Sequence, residues 1–422
     1  MTLEKAVEKA VEKKTQKLLL AVMSLGWGYV AAGVMILPFV QPIVMKEWNV
    51  SSGFSAALSS SGFLGMFIGA LFAGIISDYI GRKKTSLFFM FIATLFTILT
   101  GISGSEFTFI TFRIISGFGF GGLLPALNTY LTEFLSSSIR GKYLVLLESS
   151  WAFGSIYIAL VHLIAGRKYG WRYDFYFMAI GIVIMFIIAF LPESPKYLIV
   201  KGKNEKFKKY FGFYPEKVEI PQTKKFTLLN ILKKEYIVKT IMLWLLWFVM
   251  SFGYYGIFMW IKSILYSKGI DFVKTDWYTF YMYLAQLPGY YLAAHFVEKA
   301  GRRISVLIFM TGTGISSLLF AYASNNTAVL ILSLVVSIFC MGAWGITYAY
   351  TPELYPTKFR GTANGSSSAV TRIAGFTAPF YTSYFLEKGS IFTGLIGISA
   401  MFIIVGILNY IFLPETRGTE VN

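Results

Sequence analysis

Three charged side chains interrupt long apolar stretches of the sequence. Arg113, Glu148 and Arg372 each lie among residues that are mostly apolar. A charge at the centre of a bilayer costs about 2.5–3.5 kcal/mol even on lenient insertion scales. Each of the three must therefore face a polar cavity or a partner of opposite charge. An arginine in such a cavity can hold an anion through paired N–H donors, and a buried carboxyl group can carry a proton.

The composition explains why these charges lie in apolar surroundings. Of the 422 residues, 56% are hydrophobic and 14% are charged, whereas soluble domains average about 25% charged. Mean hydropathy is +0.62. A single cysteine excludes a disulfide scaffold, and scattered glycine and proline exclude collagen. The sequence therefore predicts an all-α integral membrane protein.

Twelve segments are long and apolar enough to cross a bilayer as helices. Their expected bounds are 18–45, 54–79, 84–104, 107–135, 141–166, 171–191, 237–266, 275–298, 303–323, 326–354, 361–386 and 390–413. We expect a charged N-terminal helix at 1–17, a six-helix half at 18–191, a Lys-rich linker at 192–236, a second six-helix half at 237–413 and a tail at 414–422.

The net charge of +17 comes from bases that collect between the apolar segments. About 28 of the 38 Lys and Arg fall in alternate loops on one side, and about eight fall in the opposite loops. This bias predicts cytoplasmic termini and a cytoplasmic linker in a multi-pass protein of the plasma membrane. Because the bases do not line one face, we expect no nucleic-acid partner. The first 17 residues have no apolar core, so we expect no cleaved signal peptide.

An internal repeat divides the chain into two halves. Asp78 with Gly81-Arg82-Lys83 recurs 220 positions later as Glu298 with Gly301-Arg302-Arg303. At the same offset, Glu133 with Arg140-Gly141 recurs as Glu353 with Arg360-Gly361, and Pro192-Glu193 recurs 222 positions later as Pro414-Glu415. The repeat predicts two parallel six-helix halves, with a substrate site between them that opens alternately to each side.

These motifs resemble those of the major facilitator superfamily. Segment 74–84, Gly-Ile-Ile-Ser-Asp-Tyr-Ile-Gly-Arg-Lys-Lys, resembles the signature of the loop after helix 2. Pro-Glu-Ser-Pro-Lys-Tyr-Leu at 192–198 and Pro-Glu-Thr-Arg-Gly at 414–418 resemble the sugar-porter-like branch, as does the order Arg113, Glu133, Arg140-Gly141. The resemblance implies a secondary transporter without cofactor or metal, acting as a monomer among membrane lipids. The sequence holds no nucleophile–base arrangement that would indicate an enzyme.

The second half is similar to a narrower group, which comprises niacin permeases, synaptic vesicle protein relatives and organic anion or cation transporters. The segments that carry this similarity are 254–256, 284–290, 342–345, 350–356 and 369–375. In the organic anion transporters, an arginine in the last motif contacts anionic substrates. The resemblance therefore implies that Arg372 binds a substrate carboxylate. The alternative is a structural pair between Arg372 and a buried acid.

Two further charges bear on proton coupling. In proton-coupled sugar porters, the equivalent of Arg113 pairs with an aspartate in helix 1, but the stretch Gly26–Gly33 contains no acid. This departure removes the usual proton site of that branch and favours a structural role for Arg113. Glu148, the one acid deep in a span, becomes the candidate proton carrier. The alternative for Glu148 is a static partner of Arg113 or Arg372.

Aromatic and amide side chains could complete a substrate site. Flat rings suit stacking on a planar ligand, and amides add hydrogen bonds. The individual alternative is a lipid-facing or interfacial position. The candidates are Tyr255, Trp344, Tyr254, Gln286, Asn128, Tyr29 and Trp151.

The charges of the repeated motifs end helices on the cytoplasmic side. In the family such residues form ion pairs that hold the outward-open state and break on inward opening; simple topological charge is the alternative. The residues are Asp78, Arg82, Glu133, Arg140, Glu193, Glu298, Arg302, Glu353, Arg360 and Glu415.

The sequence thus predicts an alternating-access transporter of a small organic solute, an anionic carboxylate of nicotinate or aromatic-acid type, with proton symport as a hypothesis. A sugar facilitator or sugar/proton symporter is the first alternative. A transporter-like sensor without net flux is the second.

Overall fold

The computed structural model of the chain describes residues 2–215, 218, 231–356 and 360–417. All regular elements in these ranges are helices, which confirms the predicted all-α membrane fold. Most of the predicted linker between 216 and 230, and the predicted tail beyond Arg417, lie outside the described residues.

The helices up to residue 215 cover the first six predicted spans. They are α1 Leu3–Ala10, α2 Lys13–Met35, α3 Leu37–Trp48, α4 Ser52–Ile80, α5 Arg82–Gly101, α6 Glu106–Thr132, α7 Ser137–Val161, α8 Arg167–Tyr169, α9 Arg172–Tyr176, α10 Ile180–Phe190, α11 Pro195–Val200 and α12 Asn204–Phe211. A π-helical turn at His162–Gly166 joins α7 to α8, and a 3₁₀ turn at Phe177–Ala179 joins α9 to α10.

The helices beyond residue 236 cover the other six predicted spans. They are α13 Ile237–Phe258, α14 Ile261–Ser267, α15 Phe272–Leu284, α16 Gln286–Ala300, α17 Arg302–Tyr322, α18 Asn326–Glu353, α19 Arg360–Glu387 and α20 Ile391–Phe412.

Three predicted spans are interrupted. The first breaks at Ile36, just before Pro38, and the seventh breaks at Met259–Trp260. The eighth breaks at Ala285, and its two pieces are each too short to span alone. By length and composition, ten helical segments of the described residues could cross a membrane, and the span at 275–298 is absent from them for this reason. The span at 361–386 is absent because α19 is rich in Ser, Thr and Gly. Broken helices are typical of transporters near the bound solute.

Packing divides the chain into two compact units. Unit 1 comprises Met1–Val34, Leu64–Ile158 and Arg172–Lys224, and unit 2 comprises Met35–Phe63, Ala159–Trp171 and Lys225–Asn422. Two segments from the N-terminal half, 35–63 and 159–171, thus pack with the C-terminal half inside unit 2.

Glycines set the close helix packing of unit 1. A Cβ on Gly119 of α6 would lie 2.4 Å from the backbone nitrogen of Ala93 on α5. A Cβ on Gly121 would lie 2.0 Å from the carbonyl oxygen of Met66 on α4. Only glycine permits backbones to approach so closely, so the Gly-rich run of α6 is a packing surface.

In unit 2, α13 packs against α19 and α20, and α17 packs against α18 and α20. The Ser251 hydroxyl on α13 donates to the Thr371 carbonyl on α19 at 2.8 Å. This bond places the middle of α13 beside the residue that precedes Arg372.

Candidate functional site

Arg372 lies on α19 in unit 2 and is 7% exposed. Its Nε is buried without a hydrogen-bond partner, and its guanidinium forms no ion pair within the described part of the chain. A static pairing with a buried acid, the alternative raised from the sequence, is therefore not seen among these residues. A buried guanidinium nitrogen without a partner is costly, so its position calls for an explanation.

A row of aromatic rings in unit 2 leads to α19 beside this arginine. The ring centroid of Trp344 lies 6.3 Å from that of Tyr254, and Tyr254 lies 5.2 Å from Tyr255. Tyr255 in turn lies 4.4 Å from Phe63. A Cβ on Gly375, one turn after Arg372, would lie 3.2 Å from Cδ2 of Tyr255. The row therefore reaches the arginine-bearing helix, and the glycine makes room for it.

Gln286 begins α16, directly after the break in the eighth span. Its side chain is fully buried, and neither Oε1 nor Nε2 has a hydrogen-bond partner in the described structure. One turn earlier, the Tyr283 hydroxyl lies 3.7 Å from Sδ of Met35, and the Tyr254 hydroxyl lies at the same distance from the same sulfur. Because both hydroxyl groups contact the same sulfur, the end of the eighth span's first piece, just before α16, lies near Tyr254 of the aromatic row.

Unit 2 thus contains a guanidinium whose Nε has no partner in the described structure, an amide without partners there, and a row of rings that contacts the arginine-bearing helix. A guanidinium binds a carboxylate through two parallel N–H bonds, an amide can donate and accept, and the rings offer faces for a planar group. The arrangement suits a small aromatic acid. Arg372, Tyr254, Tyr255, Trp344 and Gln286 are the predicted substrate residues that lie in unit 2.

The other predicted substrate residues lie in unit 1. Tyr29 is buried and packs on Phe120 at 5.9 Å, whereas Asn128 and Trp151 are half-buried. Glu148, the candidate proton carrier, is 5% exposed on α7.

Arg113 of unit 1 has a backbone partner. Its Nη1 donates to the carbonyl oxygen of Gly33 at 2.9 Å, and its Nε has no partner in the described structure. Gly33 belongs to the acid-free stretch of the first span. A main-chain oxygen thus accepts from the arginine where the sugar-porter resemblance would place a carboxylate.

The repeated motif of unit 1 forms one ion-pair network. Arg82 Nη2 lies 2.8 Å from Glu133 Oε1, and Arg82 Nη1 lies 3.0 Å from Asp78 Oδ1. Glu193 Oε1 accepts from the backbone N–H groups of Arg82 and Lys83 at 2.9 and 3.1 Å. The carboxylate therefore caps the start of α5, where helix N–H groups lack partners.

Unit 2 repeats this network. Arg302 Nε lies 2.9 Å from Glu353 Oε2, and Glu415 accepts from the backbone N–H groups of Arg302 and Arg303 at 2.9 and 3.1 Å. Glu298, the counterpart of Asp78, forms no ion pair in the described structure. Arg140 and Arg360 donate to the carbonyl oxygens of residues five positions earlier, Leu135 and Tyr355.

Sequence reasoning missed a buried charge cluster in unit 2. Asp276 Oδ1 lies 2.6 Å from Lys262 Nζ and 3.6 Å from His162 Nε2, and Asp276 Oδ2 lies 3.7 Å from Arg167 Nε. In the sequence, Lys262 and Arg167 belong to the roughly eight bases of the outer loops, which predict topology and no site. The sequence does contain a signal for this cluster, because Asp276 lies at the start of the predicted span 275–298 and Lys262 lies inside the predicted span 237–266.

Comparison with known proteins decides the family. The model of the family "Sugar (and other) transporter" matches residues 10–422. The chain belongs to this family. It is a multi-pass membrane transporter of the major facilitator superfamily that binds a small-molecule substrate, and the predictions of family, fold and a non-enzymatic function are confirmed.

Individual relatives are similar over nearly the whole chain. The "Putative niacin/nicotinamide transporter NiaP" of Bacillus subtilis (strain 168) is 34% identical over 413 residues, 96% of this chain and 98% of that protein. The "Niacin transporter NiaP" of Acinetobacter baylyi (strain ATCC 33305 / BD413 / ADP1) is 32% identical, over 99% of this chain and 98% of that protein. The xylose transporter XylE from E. coli, in a partially occluded inward-open conformation, shares the fold with a TM-score of 0.77 and 17% identity, over 97% of this chain and 100% of that one.

Proposed function

We propose that the chain carries a small aromatic monocarboxylate of nicotinate type across the plasma membrane. The observation that carries this proposal is the buried guanidinium of Arg372, whose Nε has no partner in the described structure. It lies on the helix that the aromatic row reaches through Tyr255. Arg372 would hold the carboxylate, and Tyr254, Tyr255 and Trp344 would contact the ring.

Gln286 would form a hydrogen bond with a polar atom of that ring. Its amide is both donor and acceptor, and neither function is used within the described structure. A pyridine nitrogen would accept from Nε2, whereas benzoate offers no atom for this bond. Two relatives that span nearly the whole chain are named as niacin transporters, which supports this substrate class.

Proton symport through Glu148 is part of the proposal. Glu148 is buried in unit 1, and Arg113 donates to a carbonyl oxygen of the first span. An acid that carries the coupling proton must then lie elsewhere than in that span, and Glu148 is the buried acid of α7. Solved relatives include a proton:xylose symporter, which supports coupling in this fold.

The two ion-pair networks would set the balance between inward- and outward-open states. Both join helix ends that carry the repeated motif, on the side that the excess of Lys and Arg assigns to the cytoplasm. We further propose that both termini are cytoplasmic and that the protein acts as a monomer.

A sugar facilitator is the second candidate. It is favoured by the family match and by the absence of an acid in 26–33, the stretch that contacts Arg113. In that case Arg372 would be a structural charge and transport would not depend on a proton gradient.

Uptake into proteoliposomes tests the proposal. Labelled nicotinate, benzoate and glucose would each be offered with and without an inside-alkaline pH gradient, to wild type, Arg372→Ala and Arg372→Lys. We expect nicotinate uptake that falls about tenfold or more in Arg372→Ala, since a hydrogen bond to a charged group contributes about 1.5–3 kcal/mol. Arg372→Lys should recover only part of the uptake, because lysine lacks the planar fork. Glucose uptake that ignores both the gradient and Arg372 would establish the facilitator instead.

A further inference from the structure

Four lysines line a small cavity of unit 1, on the side that the charge bias assigns to the cytoplasm. Lys83 and Lys84 lie in the first turn of α5, whereas Lys203 directly precedes α12 and Lys206 lies in its first turn. The cavity measures about 130 Å³. Two stretches that are far apart in sequence thus contribute lysines to one cavity. Its remaining walls come from Ile80, Glu193, Tyr197, Leu198 and Tyr210.

The lining of this cavity has an excess of positive charge. Four lysines and one acid, Glu193, leave a net charge of +3. The acid is already engaged, because its Oε1 accepts from the backbone N–H groups of Arg82, Lys83 and Ser194 at 2.9, 3.1 and 2.9 Å. Among the described residues, no carboxylate lies within 4 Å of any of the four lysine nitrogens, and Glu205 of α12 is exposed. Like charges around one small cavity repel, and a bound anion would offset that repulsion.

The donors of the cavity indicate which anion suits it. Lys203 Nζ donates to the Tyr197 hydroxyl at 3.2 Å and lies 4.8 Å from the centroid of that ring, which holds the ammonium group at the cavity wall. Arg82 lies over the same ring but is paired with Glu133 at 2.8 Å. The donors that remain are ammonium groups, which act as point charges with rotatable N–H bonds rather than as a planar fork. Such donors suit a phosphate group, whose oxygens can accept from several lysines at once.

The cavity lies beside surfaces that face lipid. Ile80, which lines it, is the last residue of α4, and Ile75 and Tyr79 in the preceding turns are 69% and 83% exposed. Phe88 and Phe91 of α5 are also exposed. Apolar side chains exposed on a membrane-spanning helix contact lipid, and a tyrosine near the end of such a helix is typical of the headgroup region. The cavity therefore lies at the depth of the lipid headgroups.

We propose that this cavity binds the phosphate group of an anionic phospholipid. The phosphate lies between the lysines of α5 and those at the start of α12, and the acyl chains follow the exposed apolar side chains of α4 and α5. Clustered basic residues at the cytoplasmic ends of membrane helices are a general means of binding such headgroups. The bound lipid offsets the repulsion between the lysines and holds α12 beside α5, next to the ion-pair network of Arg82. The site does not depend on which solute the protein carries.

Lipid binding to the purified full-length protein tests the site without any transport assay. Dioctanoyl phosphatidylglycerol would be titrated onto the protein in a neutral detergent, and the bound fraction measured by native mass spectrometry. Dioctanoyl phosphatidylcholine, whose choline group cancels the phosphate charge, is the lipid control, and glycerol 3-phosphate is the soluble control. We expect phosphatidylglycerol to bind about tenfold or more tightly than either control. It should also raise the melting temperature, because it binds the folded state.

Two double variants remove the same charge from neighbouring positions. Lys203→Gln with Lys206→Gln removes two lysines of the cavity, whereas Lys208→Gln with Lys209→Gln removes two exposed lysines of α12 that do not line it. The first should weaken phosphatidylglycerol binding about tenfold or more, and the second less than about twofold. Lys84→Gln, at the start of α5, should weaken binding about fivefold while it leaves the contact of Lys203 intact.

The controls separate a built site from diffuse surface charge. Equal losses in the two double variants, or equal binding of phosphatidylcholine and phosphatidylglycerol, would overturn the proposal. Glycerol 3-phosphate that binds as tightly as the lipid, with the same dependence on Lys203 and Lys206, would assign the cavity to soluble phosphates and overturn the lipid assignment. Size-exclusion profiles confirm that each variant is folded.

Discussion

The guanidinium of Arg113 donates to the backbone carbonyl of Gly33 at 2.9 Å, across two helices of unit 1. A side-chain acid at position 33 has no room, because a Cβ there would lie 2.1 Å from Cζ of Phe120. A carbonyl oxygen cannot take up a proton near neutral pH. The contact can therefore hold helices together but cannot titrate, so the proposed coupling would use a carboxyl group elsewhere in the chain.

Replacement of Glu148 by glutamine should uncouple transport from the proton gradient. Glutamine keeps the size of the side chain but cannot carry a proton. We expect gradient-driven nicotinate uptake to fall to the level seen without a gradient, while exchange of nicotinate at equal pH persists. The measurement is uptake and counterflow in proteoliposomes. Glu106→Gln, at the start of α6, is the control and should behave as wild type; gradient-driven uptake that survives in Glu148→Gln excludes this carrier.

Replacement of Gln286 by methionine should make the protein more stable and a poorer transporter. The buried amide of Gln286 lacks partners in the described structure, and such a group costs about 1–3 kcal/mol. An apolar side chain of similar size removes that cost, so the melting temperature should rise, while KM for nicotinate should rise with it.

Gln41 provides the matched control for this prediction. Its amide oxygen accepts from the Ser59 hydroxyl at 2.8 Å, and its amide nitrogen contacts Ser55. Gln41→Met leaves Ser59 and Ser55 without these hydrogen bonds, so it should lower the melting temperature. If both variants lose stability, then the Gln286 amide has hydrogen-bond partners in the membrane-embedded protein and does not serve to bind the substrate.

The two ion-pair networks should respond alike to loss of one carboxylate. Glu133→Gln and Glu353→Gln each remove the charge that faces an arginine at 2.8–2.9 Å. We expect each to change turnover by about fivefold or more and KM much less, since the change acts on the conformational balance. Glu298→Gln should have little effect, because Glu298 forms no ion pair in the described structure. A change confined to KM would instead assign these residues to substrate binding.

Acid should weaken the network of unit 2 through Glu415. Partial burial opposes ionisation of Glu415, but backbone N–H groups of Arg417, Arg302, Arg303 and Thr416 outweigh it and hold the pKa of the carboxyl below its ordinary value. A lowered pKa gives stability that is present above the unfolded pKa, about 4.3 for glutamate, and is lost as pH falls through the folded pKa.

The measurement is the melting temperature of wild type and Glu415→Gln between pH 7 and pH 3. The gap between the two proteins should be constant near neutral pH and close on acidification below about pH 4.3. Glu387→Gln, at the end of α19, corrects for the general effect of acid. A gap that persists at pH 3 would mean that the glutamine variant loses packing rather than charge.

The sequence by itself determined the properties that depend on local composition and spacing. Length and hydropathy predict the spans, because each helix must satisfy its own backbone in lipid. The 220-residue repeat predicts that Arg82 and Arg302 play equivalent parts, and the structure places each beside the corresponding glutamate, Glu133 or Glu353.

Tertiary structure alone decided which distant groups meet. Arg113 contacts Gly33, and Asp276 meets His162 more than a hundred positions away, because helix packing sets these distances and hydropathy does not. The break at Ala285, which starts a new helix at Gln286, likewise interrupts a segment that reads as one apolar run. The sequence gives the charge of each residue. Whether that charge has a partner, lacks one or can titrate depends on the neighbours that the fold places around it.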